Sequence, residues 1–148
     1  MTNMLYYAHS GTRWLLVAAT LFALGFMIFS LVTKRDQDRV TRISMLTFSS
    51  LIGVQWIVGI VYYLAYGAQI DDYTLPWQVN HASIMTGALV VAHLYLPFRR
   101  RAGNQTYYIA SIVVIVLVIA IVLWGVGILP GGVARWSFAP NFPPPPPA

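Results

Sequence analysis

Apolar residues run almost unbroken from Trp14 to Leu31, and three further stretches of similar length follow, each closed by a polar or turn-forming segment. A helix needs roughly 20 mostly apolar residues to cross a hydrocarbon layer about 30 Å thick. By that measure the pattern predicts four spanning helices, over about residues 5–32, 43–66, 77–96 and 107–129. Residues 33–42 form a charged decapeptide, 67–76 hold two aspartates and a proline, and 98–106 bring Arg99, Arg100 and Arg101 together. Pro130, Gly131 and Gly132 close the last helix. The expected fold is all-α: a four-transmembrane-helix bundle over residues 1–132, with a proline-rich extended tail over 133–148. Five consecutive prolines at 143–147 favour polyproline II, which has no internal hydrogen bonds.

Composition places those helices in a membrane. Of the 148 residues 58% are hydrophobic and only 9% are charged, against about 25% charged in an ordinary soluble domain. With four aspartates and no glutamate, the chain has too few polar groups to cover a water-facing surface. The absence of cysteine excludes a disulfide scaffold and any thiolate-ligated zinc or iron–sulfur centre. The formal net charge of +5 is a topology signal rather than a nucleic-acid footprint. Lys34, Arg35, Arg39 and Arg42 share one loop and Arg99, Arg100 and Arg101 another on the same side, which the positive-inside rule makes cytoplasmic. Both termini, with Asp71 and Asp72, are then expected outside, in a multi-pass protein of a bacterial cytoplasmic (inner) membrane. The basic loops also suit anionic lipid. No basic stretch precedes the first apolar run, so that run reads as an uncleaved helix. Tyr6, Tyr7, Trp14, Tyr62, Tyr63, Tyr66, Tyr73, Trp77 and Trp136 fit an outer aromatic belt, and Tyr95, Phe98, Tyr107 and Tyr108 an inner one.

Ionisable side chains inside spanning helices are costly and mark candidate sites. His9 and Arg13 lie toward the outer end of the first helix, His81 about one turn inside the outer end of the third, and His93 near its inner end. His9 and His81 are placed to face each other at similar depth, and two imidazoles from facing helices are an arrangement that ligates a b-type haem. Arg13, one turn from His9, suits a haem propionate. The blander reading is two histidines hydrogen-bonded at the headgroup interface. His81 and His93 cannot serve one metal, being about 120° apart around the helix and about 18 Å apart along it. His93 reads instead as an inner-interface residue beside Tyr95 and Arg99. A quinone suits the same groups, because His, Arg and Gln donors in an apolar slot hold ring carbonyls. Gln55, midway along the second helix, either supplies such a donor or makes an interhelical hydrogen bond. Gly53, Gly59, Ser83, Gly87 and Gly125 point to close helix packing, with Ser83 and Gly87 as a small-xxx-small contact. The fourth helix has no ionisable residue between Tyr108 and Leu129 and reads as a wall toward lipid or a partner.

The run His9-Ser10-Gly11-x-Arg13-Trp14, Gln55-x-x-x-Gly59 with Tyr62 and Tyr63, and His81 with Met85 and then His93 resemble a group of small bacterial four-helix membrane proteins loosely labelled cytochrome b-like. The resemblance covers the first three helices, about two thirds of the chain, and implies haem at the matching histidines. The sequence holds no nucleophile–base–acid set, no Gly-rich phosphate loop and no carboxylate pair within a span, so no catalytic activity of its own is expected. Two functional expectations remain. One is an accessory integral-membrane subunit of a larger quinone-linked electron-transfer complex, for example alternative complex III, that supports assembly and stability. The other is a one-haem b-type cytochrome with His9 and His81 as axial ligands, or a contributor to a quinone site. In the first, the tail over 133–148 docks on a partner subunit, anchored by Phe138 and Phe142.

Overall fold

The computed structural model describes residues 2–70 and 74–136. Among them every regular element is helical: α1 (Thr2–Val32), α2 (Arg39–Ile70), α3 (Pro76–Ala92), α4 (Leu96–Arg101) and α5 (Asn104–Gly127), then a 3-10 turn over Gly132–Trp136. Four stretches are long and apolar enough to cross a membrane, those of α1, α2 and α5 and the segment Pro76–Arg99. Asp71, Asp72 and Tyr73 of the expected second turn, and residues 137–148 of the expected tail, lie outside the described residues. The tail's first residues are not extended, since the 3-10 turn holds them against α5.

Hydropathy located the spans but not their ends. α2 begins four residues before the expected start because Asp38 caps it. The Asp38 carboxylate accepts from the Thr41 backbone N–H and the Thr41 hydroxyl, both at 2.8 Å, and from Arg35 at 2.7 Å. α3 stops at Ala92 instead of running to 96. Pro97 lacks an N–H, and its ring would clash with the His93 carbonyl in a continuing helix. The chain turns over residues 93–95, and Pro97 then takes a first-turn position in α4. The arginine-bearing stretch expected as a loop is therefore a short helix.

α1 packs chiefly on α2, and α3 on α5, while α1–α5 and α2–α3 contacts close the four into a ring. The end where α1 finishes and α2 begins carries Lys34, Arg35, Arg39, Arg42 and Arg99 and is the basic end. The core occupies this half: Met27, Met45, Phe48, Tyr95, Tyr107, Tyr108 and Ile115 are fully buried. Tyr95, Tyr107 and Tyr108, expected in a lipid-facing belt, instead plug the bundle. Their rings fill space between helices while two hydroxyls keep polar neighbours: Tyr108 donates to the Arg35 carbonyl at 3.2 Å, and the Tyr95 oxygen lies 3.4 Å from Ser49 Oγ. Leu15, Leu21, Phe22, Val90, Leu123 and Trp124 face outward, a surface suited to hydrocarbon rather than water. The hydroxyls of Thr20, Ser44 and Thr86 return to carbonyls one turn back, which satisfies donors that lipid cannot. Ser83 and Gly87 do not form the expected helix contact. Both are exposed, and a Cβ on Gly87 would meet nothing within 4 Å.

Candidate functional site

The half of the bundle away from the basic end is not filled by a core. Along α1, no described residue before Thr20 is buried. A cavity of about 550 Å³ occupies the space instead, within the usual ligand-site range of about 300–1,000 Å³. Its floor includes Ile52, Ala88 and Val118, and aromatic rings of Tyr6, Tyr62, Tyr66, Trp77 and Trp136 line its outer part. His9, Arg13, Gln55, Gln78 and His81 supply the ionisable and amide groups of its wall. Residues drawn from four helices and the 3-10 turn are thus collected in one space.

Gln55 organises the α1 side. Its Nε2 lies 2.8 Å from the His9 carbonyl and 3.1 Å from His9 Nδ1, and its Oε1 accepts from the Thr12 hydroxyl. A carbonyl can only accept, so the amide nitrogen must face it, and Nδ1 must then accept from that same nitrogen. In the neutral imidazole the proton consequently sits on Nε2. The ring lies over Gly59, where an added Cβ would come within 2.9 Å of His9 Cε1, and it stacks near Tyr62 at 6.4 Å between centroids and 20° between planes. Gln55 and Gly59 are one helical turn apart on one face, so this spacing both binds the imidazole and makes room for it. The interhelical reading of Gln55 and its place on the cavity wall hold together.

His81 is set the opposite way. Its Nδ1 lies 2.7 Å from the Gly125 carbonyl on α5, which obliges Nδ1 to donate and leaves the neutral ring's lone pair on Nε2. A Cβ on Gly125 would run into the Met85 methyl and Ile84 Cγ2, so glycine leaves room for these side chains where α3 and α5 approach for this bond. α5 is therefore no mere wall. It supplies that carbonyl and lines the cavity with Val118, Ile119, Val122 and Val126.

Arg13 sits 5.2 Å from the Trp14 ring centroid and lines the cavity with His9. His93 stands apart: it is exposed, and its Nδ1 donates to the Leu89 carbonyl at 2.9 Å. Among the described residues no three His, Cys, Asp or Glu side chains cluster as a metal site would require. Gln78 and Trp136 on this wall were not expected in a site. Gln78 is only 6% exposed, and its Oε1 has no hydrogen-bond partner. Trp136, from the 3-10 turn, packs edge-on against Trp14 at 6.2 Å, and its Nε1 is likewise buried without a partner. Gln78 is three residues before His81, a spacing that shares a helix face and was a usable signal. Trp136 was expected only in the outer aromatic belt, and nothing in the sequence sets it against Trp14 rather than in the interface.

A haem between His9 and His81 needs an unprotonated Nε2 on both rings. His81 fits that role, with a backbone carbonyl fixing its tautomer as an outer-shell partner does. His9 does not fit, because Gln55 occupies the lone pair at Nδ1 and puts the proton on Nε2. No protein family, curated protein or solved structure matches the chain.

Proposed function

We propose that this chain is an accessory integral-membrane subunit of a bacterial quinone-linked electron-transfer complex, and that its own part is to hold a quinone-type ring in the cavity. By the positive-inside rule the basic end faces the cytoplasm, which puts the cavity in the outer half of a cytoplasmic membrane. The observation that carries the reading is an apolar cavity among the four long apolar segments, with histidine, arginine and glutamine side chains and several aromatic rings on its wall. Such a slot takes a flat, lipid-soluble ring and orients it by a few hydrogen bonds. The proline-rich tail serves as the docking segment for a larger partner, because a run of prolines loses little backbone freedom on binding. Quantifying quinones extracted from the protein purified in mild detergent tests the reading. About one ring per chain in the wild type, lost in His9→Leu with Gln55→Leu, is the expected outcome. A quinone content no higher than that of the surrounding lipid refutes it.

A one-haem cytochrome stands second, favoured by the Nδ1–H···O=C bond that prepares His81 for iron. It requires the Gln55 amide to release His9. A reduced-minus-oxidised spectrum decides: an α-band that His81→Ala removes and His93→Ala spares would reverse the order of the two readings.

A further inference from the structure

Three of the four helix seams around the cavity are tied across, and the fourth is not. Gln55 and His9 join α2 to α1, with the Tyr6 and Tyr62 rings 5.9 Å apart beside them. Trp56 joins α2 to α3, its Nε1 donating to Thr86 Oγ1 at 2.9 Å, and Tyr66 meets Trp77 at 6.5 Å on the same seam. The bond from His81 to the Gly125 carbonyl joins α3 to α5. Between α1 and α5, the turn after α5 sets Trp136 edge-on against Trp14 at the outer end, and the buried Thr20 and Val118 begin the core below. The cavity-lining residues between these limits are aliphatic: Leu16, Val17 and Leu21 on α1, and Ile119, Val122 and Leu123 on α5. Among the described residues no hydrogen bond crosses this stretch, and the Thr20 hydroxyl returns to its own helix. Leu21 is 63% exposed and Leu123 50% exposed, yet both also line the cavity. Side chains that border the cavity and the outer surface at once stand on the rim of an opening.

Resting on the quinone-type reading above, we infer that this seam is a side window onto the hydrocarbon, and that an isoprenoid-type tail on the ring leaves the cavity through it between Leu21 and Leu123. A cavity of about 550 Å³ takes a substituted ring and the start of a tail, whereas a tail that reaches through a leaflet roughly 15 Å deep has to continue outside. Through the window such a tail passes from one apolar medium into another. Over the aromatic outer part of the cavity it would run toward headgroups and water, at the cost of its exposed apolar surface. Aliphatic walls also leave no side-chain polar group facing lipid where the helices part. The ligand class is thereby narrowed to rings that carry a long apolar chain, with the polar wall holding the ring and the window holding the chain.

Tail length is the variable to test. The full chain in mild detergent is offered either tetramethylbenzoquinone, which has no tail, or a decyl-tailed benzoquinone, and native mass spectrometry reads the occupancy of each. Leu21→Trp with Leu123→Trp fills the window from two exposed positions and leaves His9, Gln55 and His81 as they are. Occupancy by the decyl-tailed probe should fall about tenfold, as expected for forcing a chain into an overpacked seam. Occupancy by the tail-less ring should change by less than about twofold, which also shows that the variant is folded. Val61→Trp with Val90→Trp, exposed on α2 and α3 away from the cavity lining, should change neither. Undiminished binding of the decyl-tailed probe by the window variant overturns the window and leaves the ring site in place. An equal fall for both probes overturns the tail path as well. A phospholipid adduct that the window variant loses, while decyl-tailed occupancy holds, means that a lipid chain fills the window and overturns its assignment to the tail. Binding of neither probe by the wild type overturns the quinone reading itself.

Discussion

One carboxylate, Asp38, decides where α2 begins, and its chemistry gives the bundle's basic end a measurable acid response. The Thr41 backbone N–H, seconded by the Thr41 hydroxyl and Arg35, holds the Asp38 carboxyl below its ordinary 3.8, at about 2. A carboxyl lowered on folding stabilises the cap fully above the unfolded value and loses that contribution as the pH falls toward the folded one. The Thr41 amide resonance should thus titrate with a midpoint near 2, and a midpoint at 3.8 would mean that the cap does not form. Within the cavity the legible residues were those whose polarity breaks an apolar run: His9, Arg13, Gln55 and His81 announce themselves by being costly in lipid. What the sequence withheld was their proton arrangement. That His9 carries its proton on Nε2 and His81 on Nδ1 follows from Gln55 and the Gly125 carbonyl, neighbours that no spacing rule connects. Gln78 went unnoticed because an amide in the first turn of a helix looks like an ordinary interfacial residue until its burial is known.

Helix ends and helix faces were harder to read than helix existence. Hydropathy registers the apolar zone, but a helix continues past it wherever a cap or a solvated basic turn allows, as at Arg39, and stops inside it where proline forbids, as before Pro97. Hydropathy is equally blind to facing. Lipid tails and a neighbouring helix are both apolar, so the uniform Val and Ile of α5 concealed a helix that builds the site. The same blindness misjudged the glycines. Gly125 and Gly87 look alike in sequence, yet a Cβ at Gly125 meets Met85 and Ile84, and one at Gly87 meets open space. Gly125→Ala should cost about 1–3 kcal/mol by overpacking the α3–α5 contact. Gly87→Ala should be neutral or gain up to about 1 kcal/mol of helix propensity. Thermal unfolding of the two variants in one detergent measures the contrast. Equal effects would mean that α3 and α5 are not in close contact at Gly125.

Across the whole molecule the two ends differ in kind. The basic end is plugged by three tyrosines and sealed by buried side chains from all four long segments, whereas the opposite half keeps a cavity with polar walls. This asymmetry gives the orientation a functional meaning. With the basic end in the cytoplasm, a ring bound as proposed would enter and leave on the outer side, and the tyrosine plug would separate it from the cytoplasmic surface. With the orientation reversed, the same cavity would exchange its ring with the cytoplasmic side. Positive-inside asymmetry favours the first, since the described basic residues apart from Arg13 and Arg135 all gather at the plugged end. The chain contains no cysteine, so single introduced thiols report without background. Thr74 is exposed at the cavity end and Gln37 lies in the loop at the basic end. In intact cells, an impermeant maleimide should label Thr74→Cys and leave Gln37→Cys unlabelled, with Gln37→Cys becoming reactive once the membrane is opened. The reverse pattern would place the cavity on the cytoplasmic side, and any complex drawing on its ring would have to do so from there.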